Sequence, residues 1–235
     1  MPKAIDISFP KDYIFKAHVQ NKQNLKFKNF IFNNLKEFSC FPQVVAELGV
    51  GDGTLAEIIA KYLRPKILYL VDKNDFFLHF SSKRIEKVIT IKKELTSINQ
   101  QDFEEKPELI FTSNTLHWLP FNEKNNSWLR CVKTIYDILS EKGFFFVHQG
   151  LKWTYFPLYD LANELFEKKY KIRINLSDYL YYPTSREIIN NFKSVGFKVV
   201  SYKDFYELDY ELDFILEELS NSYSKEELYE SFSVG

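Results

Sequence analysis

The sequence predicts a doubly wound α/β fold with a mostly parallel sheet of seven strands, and three observations support this. Between residues 43 and 150, short apolar runs are separated by stretches with helical periodicity, a pattern typical of buried parallel strands joined by helices. Three of the seven glycines, Gly49, Gly51 and Gly53, directly follow the first run. Hydrophobic residues make up 45% and charged residues 27% of the 235 residues, which is enough apolar material for a packed core.

The predicted elements follow one another in a regular order. A helix is predicted at 12–38, where apolar residues recur every three or four positions. Parallel strands are predicted at 44–48, 67–71, 88–91, 109–112 and 144–148, with helices at 55–62 and 128–139. An aromatic-rich, mostly helical insertion occupies 151–183. A helix at 185–195 ended by Gly196, a strand at 197–202, an antiparallel last strand at 205–210 and an acidic helical tail at 212–229 complete the chain.

We expect one domain over residues 1–235, because the sequence contains neither an internal repeat nor a low-complexity linker. Its parts would be a ligand-binding core at about 43–150, the insertion at 151–183 on the side of a second substrate, and a C-terminal part at 184–235.

Composition narrows the classes of function. The formal net charge of −1 gives no basic surplus for nucleic acid, and no apolar run reaches the roughly 18 residues of a membrane span. The N-terminal residues lack an export signal, and Cys40 and Cys131 are too few for a disulfide framework. We therefore expect a cytoplasmic protein that binds neither nucleic acid nor membrane. No His or Cys spacing indicates a metal site.

The glycine cluster predicts a ligand crevice. In open α/β sheets, ligands bind beyond the carboxyl ends of the strands, and the missing Cβ atoms let a ligand lie against the turn. The spacing differs from the dinucleotide fingerprint, because Gly53 comes one residue early. Asp72 ends the next strand, where a carboxylate can accept hydrogen bonds from both hydroxyls of a ribose. A nucleoside ligand is therefore favoured over a ligand-free tight turn.

At these residues the sequence resembles the class I S-adenosylmethionine-dependent methyltransferases, in particular the subgroup of the malonyl-carrier-protein and trans-aconitate methyltransferases. Residues 45–54 (VAELGVGDGT) are similar to the first motif, E-x-G-x-G-x-G, and residues 108–118 (ELIFTSNTLHW) to the fourth-strand motif. The turn at 139–144 departs from the family pattern because it lacks a proline and a first glycine. The resemblance implies a Rossmann-like sheet and S-adenosylmethionine as cofactor, with S-adenosylhomocysteine as product.

The resemblance also implies roles for single residues. It places the cofactor against Glu47, Gly49, Gly51, Gly53, Asp72, Lys73, Glu94, Leu95 and Asn114. Glu94 would lie near the adenine, although an acidic residue in a lysine-rich loop is as often merely solvated.

The methyl acceptor is expected near His117, which follows the fourth strand. His117 is the candidate catalytic residue, as an orienting group or a base, although it could equally cap a loop. The other candidates for the acceptor pocket are Tyr13, Gln20, Trp118, His148 and Trp153. Aromatic residues such as these are also common in cores.

The predicted function is methyl transfer to a small or carrier-bound acceptor, with O-methylation of a carboxylate favoured because that nucleophile is already ionised at neutral pH. Two alternatives stay open at this point. One is transfer to nitrogen, to carbon or to a protein, and the other is a non-catalytic regulatory protein that only binds the cofactor. The chain is expected to be a monomer or a homodimer.

Overall fold

The computed structural model describes residues 18–119, 121, 125–151, 163, 164, 167–169, 171 and 181–204, with side chains from residue 23 onward. The helices are α1 (His18–Glu37), α2 (Thr54–Leu63), α3 (Asp75–Arg84), α4 (Ser127–Ile138) and α5 (Ser185–Val195). The strands are β1 (Val44–Leu48), β2 (Ile67–Asp72), β3 (Val88–Lys92), β4 (Leu109–Ser113) and β5 (Phe144–His148). Short 3₁₀ helices lie at Gln100–Asp102 and Leu116–Trp118.

The five strands form one parallel sheet in the order β3-β2-β1-β4-β5. Parallel neighbours need crossover connections, which the intervening helices provide. The chain moves outward from β1 to β3 and then returns to pair β4 with the other side of β1. This reversal leaves a crevice at the carboxyl ends of β1 and β4, where ligands bind in folds of this type.

Helices cover both faces of the sheet, so the central strands are buried on both sides. All five residues of β1 are buried. Val45 belongs to a first core cluster with residues of α1, α2 and α3, such as Ile31 and Ile59. Ala46 belongs to a second cluster with residues of α4 and α5, such as Trp128. Burial on both faces explains why the strand sequences are apolar without alternation.

Local sequence signals set the ends of several helices. Asn74 accepts a hydrogen bond from the Phe76 N–H at the start of α3. Thr184 and Glu187 form a reciprocal capping box at the start of α5. Gly196 ends α5 in the left-handed conformation, with a φ of 119°. The glycine at this position had predicted this helix end.

The structure corrects one sequence prediction, and several other predicted segments lie outside the described residues. Helix α1 is observed from His18, and the predicted residues before it lie outside the described part. The strand predicted at 197–202 is wrong, since these residues form neither helix nor strand. Phe197 and Val199 instead pack against the second core cluster. Their side chains are therefore buried although this segment forms no strand. The predicted last strand at 205–210, the acidic tail at 212–229 and most of the insertion lie outside the described residues.

The described residues contain neither a membrane-spanning helix nor a metal-binding cluster. No helix among them is long and apolar enough to cross a membrane. No group of three or more His, Cys, Asp or Glu side chains in this part of the chain is placed to hold a metal ion.

Candidate functional site

The carboxyl ends of four neighbouring strands meet at one edge of the sheet and bring the predicted site residues together. The glycine turn 49–53 follows β1, Asp72 ends β2, Asn114 follows β4 and His148 ends β5. Backbone hydrogen bonds join these ends directly. The Gly49 N–H donates to the Val71 carbonyl at 2.8 Å, and the Asn114 N–H donates to the His148 carbonyl at 2.8 Å.

The three glycines of the turn all have positive φ, at 71° for Gly49, 51° for Gly51 and 74° for Gly53. This left-handed region costs little for glycine and more for other residues. Their surroundings differ, however. A Cβ on Gly49 would overlap the Thr115 side chain, and one on Gly53 would lie 2.5 Å from Ser81 Oγ. A Cβ on Gly51 would meet nothing within 4 Å, so Gly51 alone exposes its backbone to open space.

Side chains from α3 hold the turn in place. Ser81 Oγ donates to the Gly51 carbonyl at 3.2 Å, and Arg84 Nη1 donates to the Asp52 carbonyl at 3.1 Å. Arg84 also forms an ion pair with Glu57 of α2 at 2.5 Å. The turn is therefore fixed by contacts within the protein, before any ligand binds.

Asp72 faces the turn from the end of β2. Its Oδ1 accepts from the Asn74 N–H at 2.9 Å and its Oδ2 from the Gly51 N–H at 3.4 Å. Burial raises the pKa of this carboxyl, while the N–H groups of Asn74 and Gly51 oppose the rise. Since each carboxylate oxygen has two lone pairs, Asp72 keeps acceptor capacity for a diol. Lys73 follows it and is exposed.

Glu47 is a buried carboxyl beneath the turn, with 2% of its surface exposed. Burial, and secondarily the nearby Asp52 and Asp72, raise its pKa well above the usual value, and the Ala56 N–H opposes this. Its Oε2 has no hydrogen-bond partner among the described residues. A cation next to Glu47 would supply that partner and favour the ionised form.

The remaining residues that the family resemblance placed near the cofactor follow β3. Glu94 is exposed, and its carbonyl accepts from the Ser97 N–H at 2.9 Å. Leu95 is 8% exposed, and its side chain packs in the second core cluster. The structure thus brings Glu94 and Leu95 to the same edge of the sheet as Asp72.

Asn114 connects the site to helix α1. It has a φ of 51°, a left-handed conformation that asparagine tolerates better than most residues. Its Nδ2 donates to Oε1 of Gln23 at 3.0 Å. One helical turn further along α1, the Phe27 ring lies 5.5 Å from the His148 ring. Helix α1 therefore contacts the ends of both β4 and β5.

His117 lies in the 3₁₀ turn after β4 and is buried, with 7% of its surface exposed. Burial, and to a smaller extent His148, lower its pKa to about 4, so the imidazole is neutral at physiological pH. Its ring stacks on Tyr182 at a centroid distance of 5.3 Å. Its Nδ1 is buried and finds no hydrogen-bond partner in the described part of the chain.

The other residues predicted for the acceptor pocket have different surroundings. His148 is half-buried, and its Nδ1 lies 3.0 Å from Ser113 Oγ. Trp118 is 45% exposed, so much of its ring faces outward. Gln20 lies on α1, but its side chain is outside the described residues, as are Tyr13 and Trp153.

Two residues of this region were missed from the sequence. Gln23 contacts Asn114, and Gln149 accepts a hydrogen bond from Trp128 Nε1 at 3.2 Å. Gln23 could have been found, because it lies three positions after Gln20 and so near the same helix face. Gln149 carries no such signal.

Comparison with known proteins gives a match at the level of structure alone. No family model matches the chain, and no curated protein matches it. Magnesium protoporphyrin IX methyltransferase ChlM of Synechocystis, solved with S-adenosylhomocysteine, has a TM-score of 0.56 and 11% identity over 76% of this chain and 75% of its own. The plantazolicin methyltransferase BpumL was solved with a pentazolic desmethylPZN analog and S-adenosylhomocysteine. It has a TM-score of 0.53 and 13% identity over 78% of this chain and 68% of its own.

A third match is the BH2331 protein of Bacillus halodurans, described as a candidate methyltransferase, with a TM-score of 0.52 and 11% identity over 72% of this chain and 69% of its own. The chain therefore has the Rossmann-like fold of the class I S-adenosylmethionine-dependent methyltransferases. The resemblance to the malonyl-carrier-protein and trans-aconitate subgroup stays a prediction, because these matches do not address it.

Proposed function

We propose that this protein is an S-adenosylmethionine-dependent methyltransferase. The observation that carries the proposal is the open backbone at Gly51, whose N–H donates to the half-buried Asp72 carboxylate and which follows the strand that holds the buried Glu47. A nucleoside with a diol and a cationic amino-acid part has complementary groups for both acids. Solved proteins with this fold carry S-adenosylhomocysteine, which supports the same cofactor here.

Different residues of the chain would contact different parts of the cofactor. Asp72 accepts hydrogen bonds from the ribose hydroxyls, and Lys73, Glu94 and Leu95 lie toward the adenosine. Glu47 and Asn114 lie toward the amino-acid part, where the unpartnered Glu47 Oε2 suits an ammonium group. When bound, S-adenosylmethionine supplies an electrophilic methyl group, which passes to the acceptor while the electrons of the broken C–S bond stay on sulfur.

We further propose that the acceptor is a carboxylate, on a small molecule or on a carrier-bound group. A carboxylate is ionised at neutral pH and needs no base. A base works best when its pKa lies near the working pH, whereas the pKa of His117 is lowered to about 4. His117 therefore fits the orientation of an acceptor better than the removal of a proton.

Calorimetry with S-adenosylmethionine tests cofactor binding. Asp72→Asn removes the charge that strengthens the ribose hydrogen bonds, so we expect affinity to fall at least about tenfold. Asp75→Asn is the matched control, because Asp75 lies three positions on, is exposed and pairs with Lys92. Unchanged affinity in Asp72→Asn, or an equal loss in both variants, would refute the placement of the ribose.

Transfer is tested separately with methyl-labelled cofactor and a panel of free acids, acyl-carrier thioesters, amines and proteins. We expect label in the acids or the acyl-carrier thioesters as base-labile methyl esters. Label in amines or proteins alone would overturn the carboxylate proposal. Tight cofactor binding without any labelled product would favour a regulatory protein.

A further inference from the structure

Gln149 has a buried hydrogen-bond donor that finds no partner among the described residues. It directly follows β5, and its Oε1 accepts from the indole N–H of Trp128 at 3.2 Å. An indole nitrogen can only donate, so this bond fixes which end of the amide is oxygen. The amide nitrogen Nε2 is then left as a buried donor with no partner among the described residues.

His117 presents a second buried polar atom with the same property, since its Nδ1 also lacks a partner in the described part of the structure. The two residues are connected through one pair of aromatic rings. The Tyr181 N–H donates to the His117 carbonyl at 2.8 Å, and the Tyr181 ring packs edge-on against Trp128 at 5.1 Å. Trp128 in turn holds Gln149. Both residues follow the carboxyl ends of neighbouring strands, His117 after β4 and Gln149 after β5.

Unpartnered buried polar groups are uncommon in native proteins, because hydrogen bonds to water are lost without replacement. Four occur among the described residues. Glu47 Oε2 belongs to the proposed cofactor site and Asn24 Oδ1 lies on α1, while His117 Nδ1 and Gln149 Nε2 follow the ends of β4 and β5. The Trp128 indole accounts for the oxygen of the Gln149 amide, whereas the nitrogen finds no partner among the described residues. The pair is therefore better explained by a ligand than by packing.

We propose that Gln149 determines acceptor specificity, with its Nε2 donating a hydrogen bond to a carboxylate oxygen of the methyl acceptor beside His117. This inference rests on the proposed function. An amide N–H donor is satisfied by an oxygen lone pair and not by an ammonium group, so it selects acids over amines. A carboxylate has two oxygens, and the one that accepts from Gln149 leaves the other free to react.

Octanoate is the probe, because it joins a carboxylate to an apolar chain that suits the half-buried rings of Tyr181 and Tyr182. NMR of isotope-labelled full-length protein follows the side-chain amide signals of Gln149, which are assigned by their absence in Gln149→Met. We expect octanoate to move these signals saturably, with S-adenosylhomocysteine present or absent, while octylammonium leaves them in place. Signals that do not respond to millimolar octanoate, or that respond to octylammonium, would overturn the proposal.

Gln149→Glu separates ligand binding from support of Trp128. The substitution keeps an oxygen for the indole N–H and replaces the donor by a second oxygen, so a structural role would survive it. We expect octanoate affinity to fall at least about tenfold at pH 8, where a carboxylate faces a carboxylate. Gln101→Glu adds the same charge at an exposed position and should bind octanoate like the wild type.

The variants also distinguish the two proposals from each other. Gln149→Met, which has no donor at all, should lose octanoate binding and keep the wild-type affinity for S-adenosylhomocysteine. Wild-type protein that binds octanoate but no S-adenosylhomocysteine would refute the proposed function and leave Gln149 as an acid-binding residue. Gln149→Glu and Gln149→Met proteins that bind octanoate as tightly as the wild type would refute the role of Gln149.

Discussion

The three glycines after β1 share a backbone conformation but serve different purposes. Gly49 and Gly53 have no room for a side chain, because Thr115 and Ser81 occupy the space where a Cβ would lie. Gly51 has room, and only its φ of 51° favours glycine. The first two glycines are therefore needed for packing, whereas Gly51 keeps a surface open.

Alanine substitutions should separate these roles. Gly51→Ala should lower the free energy of unfolding by about 1–2 kcal/mol, the cost of a left-handed non-glycine residue, and place a methyl group in the ligand space. We expect its affinity for S-adenosylmethionine to fall at least about tenfold. Gly49→Ala has the same backbone cost and also displaces Thr115, so it should unfold at a lower urea concentration than Gly51→Ala. Calorimetry and urea unfolding measure both quantities.

The result that would contradict this reading is a Gly51→Ala protein with wild-type affinity for the cofactor. A second contradiction would be Gly49→Ala protein as stable as Gly51→Ala protein, because the clash with Thr115 would then be absent in solution.

At single residues, the sequence is most informative where the chemistry is local. The glycine spacing and the strand-end Asp72 are visible within short segments, and the structure brings them together. The roles of Gln23 and Gln149 depend on partners that lie 91 and 21 positions away in the chain. Such contacts are set by the packing of whole elements, and no spacing rule encodes them.

Among the elements, β4 is tied to β1 by a side chain as well as by the sheet. The buried Thr112 hydroxyl donates to the Leu48 carbonyl at 2.7 Å. Leu48 is the last residue of β1, so its carbonyl lies next to the glycine turn and outside the register shared by β1 and β4. This bond satisfies a backbone group at the place where the two strands separate to form the crevice.

Thr112→Val should destabilise the protein by about 1–3 kcal/mol, because the substitution keeps the side-chain shape and leaves the buried Leu48 carbonyl unsatisfied. Thr90→Val is the matched control, since Thr90 lies exposed on the edge strand β3. Urea unfolding of both variants gives the comparison. An equal change in the two proteins would show that the Thr112 hydroxyl adds nothing to stability.

The regular elements were predicted well because their signals are strong. The observed β1, β5 and α5 have the predicted limits, the other strands are longer by one residue at the end, and α2 is longer by one residue at each end. Helix α3 was not predicted, since its apolar residues Phe76, Phe77 and Leu78 are consecutive and so lie around the helix instead of along one face. The strand predicted at 197–202 is wrong because the apolar residues Phe197 and Val199 are explained by packing against the core. Burial of such side chains does not by itself require a strand.

For the molecule as a whole, two buried groups respond to pH in opposite directions. The pKa of Glu47 is raised by burial, so its contribution to stability is present below pH 4.5 and is lost as the pH rises through the folded-state value. The pKa of His117 is lowered from 6.5 to about 4 by burial. Its contribution is present above pH 6.5 and is lost as the pH falls toward 4.

Comparing wild type with His117→Gln should isolate the histidine contribution, since Glu47 titrates in both proteins. We expect the wild type to lose roughly 3 kcal/mol more unfolding free energy than the variant between pH 6.5 and pH 4. Urea unfolding at intervals across this range measures the difference. Parallel curves for the two proteins would show that burial does not lower the pKa of His117.

The strand order also sets the order in which the sheet can be completed. β1 pairs with β2 after a short excursion, but its other neighbour, β4, aligns Leu109 with Val45, 64 positions along the chain. Closing so long a loop is slow, and until it closes, the backbone edge of β1 that faces β4 is unpaired. During refolding, that edge is the place where two chains would pair with each other. Recovery of native protein should therefore fall as protein concentration rises.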